Sequence, residues 1–77
     1  MLHTIKILEK YWLALQSGDK TAKIRYNDRN YQVGDEIDFI TVNDERHYTG
    51  RWTITHVYSF IGMKEGYVCL SIKPNTE

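Results

Sequence analysis

The sequence predicts a small α+β fold of about five mostly antiparallel strands with one main helix near the N-terminus. Three observations predict it. Apolar residues recur at helical spacing once, early in the chain. Every later apolar stretch is short, rich in β-branched and aromatic residues, and bounded by turn residues. The length, 77 residues, suits one domain spanning residues 1–77.

The elements follow in order. Residues 3–7 alternate weakly and are β-permissive, so a first strand is expected there. Residues 8–16 carry Leu8, Tyr11, Trp12 and Leu15 at offsets of three and four, an apolar stripe on one helical face. Ser17-Gly18 then supplies a helix stop. Residues 20–25 alternate again: Thr21, Lys23 and Arg25 form one face, Ala22 and Ile24 the other. A polar turn over 26–30 and a second at Gly34-Asp35 lead to a strand over 36–42. That strand has Ile37, Phe39 and Thr41 on one side. Residues 51–60 form a long β run, Gly62 and Gly66 bracket a loop, and 67–72 is the last strand. Short strands joined by turns favour an antiparallel sheet curled into a small barrel that removes its own edges.

Composition narrows the class. Hydrophobic residues at 42% and charged residues at 26% are ordinary for a globular protein and unlike a disordered or coiled-coil chain. No apolar run is long enough for a membrane span, and no secretory leader opens the chain. A single cysteine, Cys69, excludes an internal disulfide; a reducing, cytoplasmic setting is expected. A chain this short buries only about 60–65% of its extended surface. Its six Tyr, two Trp and two Phe must therefore carry much of the packing.

Ten basic and ten acidic residues cancel, so any electrostatic argument rests on local distribution. Lys20, Lys23, Arg25 and Arg29 fall within ten residues, with Asp28 the only acid among them. On a strand, Lys23 and Arg25 share a face. Arg suits bidentate contact with phosphate and Lys point-charge contact. Tyr26, Tyr31, Tyr48 and Trp52 are candidate stacking surfaces. Basic groups interleaved with aromatics make a single-stranded nucleic-acid platform. The same alternation also fits a solvated strand face, and the tyrosines also fit a core. Asp28 fits either a turn or an orienting partner of Arg29.

Other chemistry is sparse. His3, His47 and His56 lack metal-site spacing. Cys69, between Val68 and Leu70, reads as a buried thiol. The glycines are spaced as turns, not as a phosphate loop, and Ser17, Ser59 and Ser71 have no nucleophile motif around them. No cofactor is implied. One catalytic option remains: Lys20, made less basic by neighbouring cations, with Asp35, Glu36 or Glu65 for proton transfer.

Gly18-x-Lys20-x-x-x-x-Arg25, followed by Asn27-Asp28-Arg29 and Val33-Gly34-Asp35, resembles the ASCH superfamily, in particular its small bacterial and phage branch of uncharacterised proteins. His3-x-Ile5-Lys6-Ile7, Tyr48-Thr49-Gly50 and Gly66-Tyr67-x-x-Leu70 also look like that branch, and the likeness spans about residues 3–73. The resemblance implies a PUA-like β-barrel with a helix beside a central cleft, and RNA binding in that cleft. Some relatives are related to a transcription coactivator domain. Others of similar size hydrolyse acetylated cytidine nucleosides, and ribonuclease activity has been proposed for some. The family signature, Gly-x-Lys-x-x-Glu-x-Arg, lines the cleft, so Lys20 and Arg25 would face the ligand. Here Lys23 stands at the glutamate position, where the small amidohydrolases carry a catalytic threonine. Lys23 offers neither carboxylate nor hydroxyl, unless Thr21 or Thr49 substitutes. It adds a cation for phosphate.

RNA or nucleotide binding therefore ranks first. Lys20, Lys23, Arg25 and Arg29 would meet phosphate or base edges, Asn27 a base edge, and Tyr48 or Trp52 would stack a base. The alternatives are an amidohydrolase acting on a modified nucleoside and an interaction module for an acidic protein.

Overall fold

A computed structural model of the chain describes residues 1–59 and 61–75. The elements are β1 (Leu2–Lys6), α1 (Glu9–Ser17), β2 (Ala22–Tyr26), β3 (Glu36–Ile40), β4 (Trp52–Tyr58) and β5 (Tyr67–Pro74). They form one curled, five-stranded sheet in the order β1-β3-β4-β5-β2. Each expected element is present with ends shifted by one or two residues, as is usual for element boundaries. β5 runs on to Pro74. The expected end of the fourth strand at Phe60 lies outside the described residues.

Four pairs build the sheet, and three of them are antiparallel. The exception is β1 with β3, which run parallel with His3 opposite Ile37 and Ile5 opposite Phe39. A parallel pair needs a long crossover, and the connection through α1 and β2 provides it. In β4 the register shifts between Ile54 and His56, so Thr55 is an extra residue. A bulge of this kind bends the strand and sharpens its twist, which helps the sheet curl. Among the described residues β1 and β2 each have one ladder partner and form the two ends of the sheet.

The concave face holds the core. Ile5, Ile7, Ile37, Phe39, Ile54, Leu70 and Ile72 pack there with Leu15 of α1. Trp52 sits among them, edge-on to Phe39 at 6.3 Å. The helical stripe is only partly used. Leu15 is buried and Trp12 half-buried, while Leu8 and Tyr11 remain exposed. The helix therefore docks on the core through Trp12 and Leu15.

Local signals explain the joints. Gly18, in the left-handed conformation, ends α1 with its N–H on Leu15 O. The Lys20 N–H then reaches back to Ala14 O at 3.1 Å, which pins the start of β2 to the helix end. Gly34 has φ of 95°, and the following Asp35 is buried. The Asp35 carboxylate accepts from the Gln32 N–H (3.1 Å) and the Met1 ammonium (3.2 Å). It also accepts from His3 Nε2 (2.8 Å). This cluster ties the start of β1 to the start of β3. On the outer face the Cys69 thiol is buried and donates to Tyr58 Oη at 3.3 Å.

Candidate functional site

The site is set by which way β2 faces. Lys23 lies opposite Leu70, and Arg25 opposite Val68. Cross-strand partners share a face of the sheet, and Leu70 is a core residue with Val68 packed beside it. Lys23 and Arg25 therefore point to the concave side, where each is half-buried. The apolar residues of the strand point outward: Ile24 and Tyr26 are each 55% exposed. A solvated strand would show the reverse. The alternative of a fully solvated basic face does not fit that orientation.

Helix α1 roofs the basic face. The Lys23 ammonium lies 5.6 Å from the centre of the Tyr11 ring, a cation–π separation. Lys20 approaches from the helix C-terminus, the negative end of the helix dipole. Burial pushes the Lys23 amine below its ordinary value, and the nearby Arg25 and Lys20 charges push it further. Among the described residues none of Lys20, Lys23 and Arg25 forms an ion pair. Arg25 Nε is buried and has no acceptor, and the same is true of Trp12 Nε1 and Tyr31 Oη. Buried donors without acceptors are uncommon in folded proteins.

The aromatic part of the site joins the helix to the β3–β4 connection. Tyr48 stacks on Trp12 with ring centres 4.4 Å apart and planes 14° apart. Sequence spacing gives no hint of this pair, because Trp12 reads as one more core residue in the helical stripe. Tyr11 likewise fits the helical stripe alone.

The remaining predicted site residues have other occupations. Trp52 is 5% exposed and belongs to the core, so the expected stacking role is corrected: neither ring face is open to a base. Asn27 Oδ1 accepts the Tyr31 N–H at 3.0 Å and its own N–H meets Gly66 O at 2.8 Å, which makes Asn27 a turn former. Arg29 reaches across to β1 and donates to Thr4 O at 2.6 Å. It ties the two ends of the sheet together and does not join the basic cluster. Tyr31 is 2% exposed, edge-on to His3 at 4.7 Å. Tyr26 stands on the outer face beside Tyr67.

The candidate proton carriers are also dispersed. Asp35 is held by His3. Glu36 accepts from Asn75 Nδ2 at 2.6 Å and lies 3.8 Å from Arg51. Glu65 is exposed in the β4–β5 loop, and Thr21 and Thr49 are exposed. Among the described residues no carboxylate pairs with Lys20. His47 meets Asp38 at 2.6 Å and His56 meets Thr55 at 3.2 Å, each on the surface.

Residues 2–72 match the family described as a domain of unknown function, DUF3850. The chain is a member of that family. Its fold is similar to that of a solved structure titled "Crystal structure of hypothetical protein PH0355". The TM-score is 0.66 at 18% identity, over 97% of this chain and 100% of that one. No curated protein matches the chain. Among the described residues no helix is long and apolar enough to cross a membrane.

Proposed function

We propose that the chain is an RNA- or nucleotide-binding module of the PUA-like, ASCH type, with the ligand's phosphate resting on Lys20, Lys23 and Arg25 beneath α1. One observation carries this reading: two cations of an edge strand face the core side, half-buried, with no ion-pair partner among the described residues. Packing alone would favour apolar residues at both positions. An anion reverses that balance, because it supplies acceptors to buried donors and cancels mutual repulsion. Arg25 Nε is such a donor. Tyr48, braced by Trp12, supplies a ring on which a base can stack, as in single-strand binders. The curled sheet with one helix at its concave side supports the PUA-like assignment.

The reading is tested with a labelled, short single-stranded RNA, titrated at low and moderate salt. Binding that weakens steeply with salt is expected, from release of counterions. Affinity indifferent to salt would remove the phosphate from the account.

A further inference from the structure

A hollow of about 450 Å³ lies at the N-terminal end of α1. Small-ligand sites commonly run to roughly 300–1,000 Å³. Residues 7–9 form one side of it, and the connection over 41–48 forms the other. Lys20 follows the other, C-terminal end of α1.

Its walls are built, not merely left over. Tyr48 lines the hollow and is held flat against Trp12. Leu8 and Val42 add apolar surface that the fold leaves exposed, at 50% and 42%. The far rim is locked by its own bonds. The Thr41 N–H donates to Arg46 O at 2.8 Å, and the Arg46 N–H donates to Thr41 Oγ1 at 2.9 Å. Thr41 Oγ1 donates to Asp44, and Arg46 Nε meets Asp44 at 2.7 Å. Asp44 and Arg46 are thus paired with each other. Two polar side chains lining the hollow, Glu9 and Asn43, have no partner among the described residues.

That inventory selects a ligand. A flat wall with apolar flanks takes a flat ring. The unpaired charge is the Glu9 carboxylate, which only accepts hydrogen bonds and repels phosphate. The ring must therefore bring its own N–H donors. We infer that this hollow is a second binding site, for one unstacked nucleobase carrying an exocyclic amine, with the ring on Tyr48 and the amine on Glu9. Asn43, which can donate and accept together, is placed to read the neighbouring ring nitrogen, as Asn does at adenine. That the ring belongs to a nucleotide rests on the function proposed above; the hollow's own chemistry does not need the basic cluster.

The test is an amide-shift titration by NMR with adenosine, cytidine and uridine, which carry no phosphate. The expected result is saturable shifts at Glu9, over 41–46, at Tyr48 and at the Trp12 indole N–H. Uridine, with no exocyclic amine, should bind roughly tenfold more weakly. Glu9→Ala, which removes the acceptor, should bring adenosine and cytidine down to the uridine level, and Tyr48→Ala, which removes the ring, should weaken binding of all three nucleosides. Shifts confined to 20–25, uridine binding as well as the others, or no shift at millimolar nucleoside would each overturn the inference. A parallel titration with inorganic phosphate, read at Lys23 and Arg25, tests the basic cluster by itself. Failure of one site is thereby distinguished from failure of the other.

Discussion

Lys23 and Ile24 are neighbours on β2 with inverted exposure: the Lys23 ammonium lies over Tyr11 beneath α1, and the Ile24 side chain stands in solvent. An edge strand with its charge inward and its apolar residues outward is poorly arranged for stability. The arrangement fits the anion uptake proposed for that face. Natural proteins commonly give up stability at a site where function needs it.

The cost is measurable. The Lys23 amine is held below its ordinary value of 10.5, chiefly by burial and then by Arg25 and Lys20. A lysine with a depressed folded pKa opposes folding while it is charged. That penalty is complete at pH below the depressed value and fades as pH rises from there towards 10.5. Lys23→Met should raise stability near neutral pH by about 0.5–1 kcal/mol, a modest figure because water screens the exposed half of the side chain. Urea denaturation near neutral and alkaline pH checks this. The gain should shrink at the alkaline end.

Asp35 works with the opposite sign. Its carboxyl is held below 3.8, first by the hydrogen bond from His3, with burial opposing and the N-terminal ammonium and Gln32 N–H assisting. Its contribution is complete above the unfolded value and is lost as pH falls through the depressed folded one. Asp35→Asn leaves buried partners poorly matched and should cost about 1–3 kcal/mol. The acid limb of the stability–pH curve should flatten in the same variant, which thermal melts across that range would reveal.

Two glycines should respond differently to alanine. Gly34, at φ 95°, has open space where a Cβ would stand, so Gly34→Ala should cost only the backbone strain, about 1 kcal/mol. Gly66, at φ 86°, would place a Cβ 2.7 Å from Tyr26 Cε1. Gly66→Ala should therefore cost more than Gly34→Ala, and Tyr26→Ala should recover the difference. Equal losses in the two single variants would show that the Tyr26 ring moves aside freely.

Arg29 gives a prediction that separates structure from binding. Its bond to Thr4 O joins β1 to the segment after β2. Arg29→Ala should lower stability by about 0.5–1.5 kcal/mol and leave RNA affinity nearly unchanged. A large loss of affinity at constant stability would return Arg29 to the site.

Much of the fold was legible from residue patterns. The single helix, its stop at Gly18 and five strands follow from periodicity and turn chemistry. The parallel pairing of β1 with β3 was not, because strand spacing does not specify the partner across a long crossover. Thr55 gave no local sign of a bulge. The site was legible as composition but not as geometry. Alternation on β2 separates a basic face from an apolar one, yet a period of two has no preferred direction. The usual rule of apolar residues inward points the wrong way here. Arg29 and Asn27 carried the right chemistry for RNA, but tertiary partners engage both. Trp52 has the right ring and is buried. The Trp12–Tyr48 stack joins residues far apart in sequence, which no local spacing could link.

The most direct test moves one charge across the strand without changing the net charge. The double variant Lys23→Met, Ile24→Lys shifts the cation from beneath α1 to the outer face. Short single-stranded RNA would be titrated against it at low salt, with an NMR spectrum confirming that the fold is retained. The account predicts affinity reduced by about tenfold or more, and a shallower salt dependence, because one phosphate contact is lost. Affinity and salt dependence equal to those of the native chain would show that the inward face of β2 does not hold the ligand.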